Sequence, residues 1–332
     1  ERDMSFGYKV LGFGSGGGGI PYMVATGGTI TESGDDKIHT FTGPGTFTVC
    51  SAGTCAANNL VSYMVVAGGG GGGGTHGGGA GAGGFREVES PVTPYTASPL
   101  EGYPTAGNRI TVTATGYPIT TGAGGTAGVV SGADPTQGSD SIFSCITSAG
   151  GGKGASESMG DGRCGMDGGS GGGGSYPAPL RAGGCGNTPP VSPSQGSGGG
   201  AAIQYGPHPY PVWTGSSGGG GGATEAGVGA ASNLAGRGGA GTTTEITASP
   251  VAYAGGAGGG SSGYGTGVAV GAASPCGTGG AGSPGAGNAG CAGTTNRGGG
   301  GGGGRAGPPS GGTPGGGGGS GVVVIRYKFQ GE

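Results

Sequence analysis

The sequence predicts an all-β chain joined to polyglycine II, with a small antiparallel β module assembled from both chain ends, an inserted bundle of polyglycine II helices, and almost no α-helix. Three observations carry this. Of 332 residues 102 are Gly and 22 are Pro, and the glycines are clumped, as in 68–74 and 298–304, which excludes the strict three-residue period of collagen. Strand-like runs occur near both ends. No apolar stripe of helical period occurs anywhere in the chain.

The elements follow in order. Ile38-His39-Thr40-Phe41-Thr42 and Thr46-Phe47-Thr48-Val49 alternate apolar and polar residues around Gly43-Pro44-Gly45, which predicts a hairpin. Leu60 to Val66 is more continuously apolar and reads as a buried strand, as does Val322 to Ile325, which passes into an Arg326/Lys328 alternation. Residues 1–67 with 321–332 therefore form the expected β module, and 68–320 the glycine bundle. Within it 85–148 is partly β, with short strands expected at 109–115 and 141–147.

Oligoglycine tracts at 68–74, 171–174, 198–200, 218–222, 258–260, 298–304 and 315–319 alternate with turns rich in Ser, Thr, Pro, Asn and Ala. Ordering a glycine backbone is entropically expensive, and no side chain exists to recover the loss by burial. Cohesion has to come from amide groups. A three-fold extended helix points its N–H and C=O groups outward, so such helices can lie side by side and bond one another. Ala and Ser substitutions are expected to face outward, Pro-containing stretches to form turns, and loops to gather at the bundle ends.

Charge is sparse, with 13 basic and 16 acidic residues for a net charge of −3. No basic cluster exists for nucleic acid, and no apolar run approaches a membrane span. The start, Glu1-Arg2-Asp3-Met4, has neither an initiator Met nor a signal-peptide pattern, as expected of a chain numbered after processing or within a longer polypeptide. Seven cysteines in a chain with little core read as disulfide staples in an oxidising, extracellular setting, with Cys50/Cys55, Cys164/Cys185 and Cys276/Cys291 as the candidate pairs and one thiol left over. No C-x-x-C pair is present and the three histidines are scattered, so no metal or other cofactor is expected.

Catalytic motifs are uninformative. G-x-G-x-x-G recurs by composition, and Lys153 is followed by Gly154 where a phosphate-binding loop needs Ser or Thr. No enzyme activity is expected. The densest chemistry is Ile203 to Thr214, which holds Tyr205, His208, Tyr210 and the single Trp, Trp213, among three prolines. Such rigid aromatics suit contact with a glycan or protein surface, or cap the bundle against water. Tyr95 and Tyr103, with Pro99 and Tyr117, form a second candidate surface. Tyr176 to Arg181 forms a third.

Val61-Ser62-Tyr63-Met64-Val65-Val66-Ala67 running into Gly68–Gly74, then Thr75-His76 and on to Phe85-Arg86, resembles the glycine-rich virion proteins of tailed bacteriophages. So do Ile38 to Val49 and the closing Gly315 to Tyr327. The resemblance is close at both flanks and compositional in the middle. It implies a virion-surface attachment protein that displays receptor-binding loops on a polyglycine II bundle, with a cell-surface protein or glycan as partner. The cysteine count departs from that pattern and points to an alternative, a subunit of an extracellular filament that contacts copies of itself through its β ends and cysteines.

Overall fold

A computed structural model describes residues 22–130, 132–157, 164–176, 181–204, 215–232, 234–261, 269–285, 287–307 and 311–331. The strands are β1 (Val24–Thr26), β2 (Thr29–Ser33), β3 (Asp36–Phe41), β4 (Gly45–Ser51), β5 (Leu60–Val66), β6 (Phe85–Val88), β7 (Ile110–Thr111), β8 (Gly116–Thr120), β9 (Ser141–Phe143), β10 (Ile146–Ser148), β11 (Ile203–Gln204), β12 (Gly215–Ser216), β13 (Thr242–Thr244), β14 (Val251–Tyr253) and β15 (Val322–Lys328). Helix among the described residues is confined to two 3-10 turns, Ala56–Asn59 and Ala106–Asn108.

Two antiparallel sheets face each other. One has the order β2-β3-β15-β5-β6, with β7 also on β5, and the other β1-β4-β8-β9-β10. β15 thus sits between β3 and β5, with Ile325 opposite His39 on one side and Tyr63 on the other. Strand periodicity then divides its side chains. Val323, Ile325 and Tyr327 join Phe47, Val65 and Phe143 between the sheets, while Val322 and Val324 join Met64, Phe85 and Tyr253 on the other face. Burial on both faces explains why β5 and β15 read as continuous apolar runs. Asp36 and Arg326 form a buried ion pair on that second face, 2.7 Å apart.

Four expectations are corrected. β3 and β4 are not a hairpin: β3 pairs with β2 and β15, whereas β4 pairs with β1 and β8, so Gly43-Pro44 carries the chain from one sheet to the other. The sandwich core requires this, because His39 on β3 stacks edge-on against Phe47 on β4 at 5.0 Å across the gap. The true hairpin is β2–β3, closed by Gly34-Asp35 with Gly34 at φ 58°. Secondly, residues 141–147 fold as the β9–β10 hairpin because Ser144 adopts φ 54°, and the strand expected at 109–115 shrinks to β7, with β8 following it.

The third correction concerns alanine and serine in the glycine region. Ala123, Ala226 and Ala292 face outward as expected, but Ala80, Ala82, Ala155, Ser170 and Ser175 are buried. Ser175 spends its hydroxyl on the His76 carbonyl at 2.7 Å.

The fourth concerns cysteine, where none of the three expected disulfides forms. Cys50 and Cys55 are both free and exposed, as are Cys164 and Cys185, and Cys291 is free and exposed while its expected partner Cys276 is free and half-buried. Cys145, the thiol left over, is free and exposed as well. Other bonds close the turns that these bridges were expected to staple. In the Cys50–Cys55 turn, Asn59 clamps Gly53 through both its amide nitrogen and oxygen (2.9 and 2.8 Å). Cys185 N–H donates to Asp167 at 2.6 Å, which ties its turn without Cys164. Cys276 Sγ lies 3.3 and 3.2 Å from the Ser274 and Thr278 hydroxyls. Cys291 is held instead by its backbone, which donates to Ala281 at 2.9 Å and accepts from Gly302 at 2.8 Å.

The glycine region is ordered by backbone bonds that recur every three residues. Along 67–74, Gly70 and Gly73 donate to Gly81 and Gly78, Gly68 and Gly71 to Ser139 and Thr136, and Gly69 and Gly72 to Gly319 and Gly316. All three acceptor segments run antiparallel. The carbonyls of Gly68 and Gly71 accept from Gly151 and Gly154, those of Gly69 and Gly72 from Gly125 and Gly128, and those of Gly70 and Gly73 from Gly301 and Gly304. These three donors run parallel. One extended segment is therefore bonded to six neighbours and has no unsatisfied amide from 68 to 73. The spacing leaves no room for a side chain: an ideal Cβ would lie 1.9 Å from the Thr126 oxygen at Gly71 and 2.1 Å from the Gly302 oxygen at Gly72.

Candidate functional site

The segments run away from the sheets and back. Residues 67–74 leave β5, turn at Thr75-His76-Gly77, and return as 78–84 into β6. Residues 215–222 lie beside 78–84, with Gly79 donating to Gly218 and Ala82 to Gly221, so β11 and β12, which pair Gln204 with Gly215, are level with His76. Gly260 donates to Gly77, and Gly77 to Gly304. The far end of the bundle is thus built around the His76 turn, ringed by the segment ends that lead into 177–180, 205–214, 262–268 and 308–310.

His76 is the anchor of this end. Thr75 and His76 adopt φ values of 28° and 56°, which closes the turn tightly enough that a Cβ on Gly77 would stand 1.9 Å from the Gly73 oxygen. The His76 carbonyl accepts from Ser175 and Ser217 (2.7 and 2.6 Å). Its buried ring meets Tyr176 edge-on at 5.1 Å, and Nδ1 lies 3.0 Å from a Glu157 carboxylate oxygen. The sequence signal for this cluster was the single polar break, Thr75-His76, in an otherwise unbroken run of glycine from 68 to 79.

Tyr205, His208, Tyr210 and Trp213 lie outside the described residues. What is described is their base: 205–214 connects Gln204 to Gly215, and Gly215 rests on the buried Tyr176 ring, which a Cβ there would meet at 2.2 Å. Tyr176 is accordingly a packing residue. The structure places Tyr95 and Tyr103 on the 89–109 connection beside the sheets, between β6 and β7.

On that connection the rings turn inward. Tyr95 donates from its hydroxyl to Glu87 at 3.1 Å and lies beneath the Arg326 guanidinium at 5.2 Å. Burial, then the adjacent Glu87 charge, holds its phenol well above the ordinary range. Glu87 itself is 2% exposed and also accepts from Ser98 N–H at 2.9 Å and from the Thr244 hydroxyl. Burial raises its carboxyl, and the hydrogen bonds from Ser98, Thr244 and Tyr95 oppose the rise. Tyr103 packs against the inter-sheet core with Arg109 stacked 4.2 Å over its ring. Tyr117 likewise lies 6.1 Å from the Phe143 ring. No helix among the described residues is long and apolar enough to cross a membrane.

A β sandwich that carries a hydrogen-bonded array of glycine segments defines the class of protein. The family model for a glycine-rich domain matches residues 40–328, from within β3 to the end of β15, and the chain belongs to that family. No curated protein matches the sequence.

Proposed function

We propose that the protein is a non-enzymatic attachment protein of a virion or extracellular surface, in which the β sandwich holds a polyglycine II bundle and the far end of the bundle presents receptor-binding connections. The six-neighbour, three-residue hydrogen-bond recurrence supports polyglycine II as the geometry of the bundle. The observation that supports the functional reading is where the described segments end. Residues 205–214, richest in aromatic chemistry, join two segments at the end most distant from the sheets, around a His76 turn that fixes their base. A stiff platform beneath the connections limits the ordering cost of binding a surface.

The partner in this reading is a cell-surface protein or glycan, and the setting is extracellular or on a virion, in keeping with the resemblance of both flanks to phage glycine-rich proteins. Replacing Tyr205, Tyr210 and Trp213 together by Ala is expected to abolish binding to susceptible cells and leave the denaturation midpoint unchanged. Retained binding would overturn the reading, and loss of folding would assign the aromatics to packing. Imaging of native particles separates the filament alternative: protein found only at appendage tips supports attachment, and indefinite filaments support a structural subunit.

A further inference from the structure

We propose that a groove on the side of the bundle, away from the His76 end, binds an alkylammonium or alkylguanidinium group. The groove has a volume of about 330 Å³, and its lining includes Gln137, Asp140, Met166, Asp167, Thr188 and Pro189. That volume lies within the range of small-ligand sites, roughly 300–1,000 Å³. No lysine or arginine is among the lining residues.

The walls are fixed before any ligand arrives. Asp140 accepts from Gly150 N–H at 2.8 Å and Asp167 from Cys185 N–H at 2.6 Å, each through Oδ1, so among the described residues the second carboxylate oxygen of each is left for an external donor. Gln137 donates to the Asp167 carbonyl at 2.7 Å. The opposite wall is held by Asn187 and Thr188 N–H groups bonded to Gly169 and Gly168 (2.9 and 3.0 Å), and by buried Gln195 donating to the Pro189 carbonyl at 2.8 Å.

The chemistry of the lining selects the ligand. Two carboxylates with no lysine or arginine among the described lining residues favour a positively charged donor over a neutral one, because charge-assisted hydrogen bonds are roughly twice as strong as neutral ones. Met166, 41% exposed, and Pro189 supply an apolar surface for the methylene stem of such a group. A lysine or arginine side chain of a polypeptide and a free polyamine share this chemistry.

Calorimetric titration of the full chain with spermidine, and separately with blocked lysine and blocked arginine, tests the assignment. Saturable binding of at least one probe is expected, weakened about tenfold by Asp140→Asn or Asp167→Asn, since a hydrogen bond to a charged group contributes about 1.5 kcal/mol or more. Asparagine retains the Oδ1 acceptor for the backbone, and Asp134→Asn, outside the groove, should bind as the parent does. Met166→Ala, which keeps both carboxylates, should also weaken binding and covers the case in which an Asp variant fails to fold. Preference for spermidine assigns a polyamine, and preference for a blocked amino acid assigns a polypeptide side chain. Absence of saturable binding, equal affinity in all variants, or equal affinity for a neutral methyl glycoside would overturn the proposal.

Discussion

Replacing Gly70 by alanine tests whether the backbone array is the cohesive element. An ideal Cβ on Gly70 lies 2.4 Å from the Gly152 oxygen and 2.7 Å from its carbonyl carbon. Comfortable carbon contacts begin near about 3.5 Å, so the 149–156 segment has to retreat by about 1 Å. The bonds Gly151 to Gly68 (2.8 Å) and Gly154 to Gly71 (3.0 Å) join those same two segments. Both then stretch to about 4 Å, beyond useful hydrogen bonding. Each buried amide left without a partner costs about 1–3 kcal/mol, and the stiffer unfolded chain returns only about 0.4–1 kcal/mol. The expected net loss is about 3 kcal/mol. Gly317 supplies the matched control, since it belongs to the same array but its nearest neighbour, the Gly125 oxygen, stands 3.6 Å from an added Cβ. Urea denaturation should show Gly70→Ala strongly destabilised and Gly317→Ala within about 1 kcal/mol of the parent. Equal effects at the two positions would refute the account.

Acid should weaken the sandwich through His39, which is buried and whose Nδ1 lies 2.7 Å from the Gly27 carbonyl. Burial lowers its pKa against the opposing effect of that hydrogen bond, so below about pH 6.5 the unfolded chain takes up the proton first and stability falls until the folded pKa is reached. Glu87 acts oppositely, because its raised carboxyl takes up a proton first in the folded state. The His39 contribution is therefore read as a difference: between about pH 7 and 5 the parent should lose more stability than His39→Gln, and parallel profiles would contradict the assignment. Thiol chemistry gives a third test. Without reductant, denatured protein should take up seven alkylating groups, and native protein six rapidly and the seventh, on Cys276, slowly behind its partly buried position. Burial raises the Cys276 thiol, but hydrogen bonds from Ser274 and Thr278 outweigh it and leave the group below its ordinary pKa. A count below seven in the denatured protein would establish a disulfide.

Legibility in the sequence followed the physics of each part. Val61 to Val66 and Val322 to Ile325 were readable as strands because burial on both sheet faces leaves a continuous apolar run. Their pairing was not, because nothing local marks β15 as the strand between β3 and β5. The β3–β4 junction reads as a hairpin for a related reason: Gly43-Pro44-Gly45 signals a change of direction, and only the distant contact of His39 with Phe47 decides that the chain changes sheets. Cysteine spacing misled because Cys50 and Cys55, or Cys276 and Cys291, bracket turns that backbone and amide bonds already close, which no local pattern of cysteines reveals. Glycine tracts announced backbone cohesion yet concealed which tract bonds which, since identical residues carry no side-chain code for register. Thr75-His76 was visible as a break in such a tract. Its role required the convergence of Ser175, Ser217 and Tyr176 from separate segments.

The central seat of β15 has a kinetic consequence. Asp36 and Arg326, joined in one ion pair, are 290 positions apart in the chain, and Gly69 reaches Gly319 across a similar interval. Contacts of such high sequence separation make folding slow, because closing the long loop precedes any return from the contact. Until β15 arrives, β3 and β5 each present an unpaired edge toward the gap between them, the kind of edge that accepts a strand from another molecule. A strand with the Val-Val-Val-Ile pattern of 322–325 from a neighbouring copy would fit that gap, which makes strand exchange between copies the characteristic folding error of this architecture, and a route by which copies would become linked.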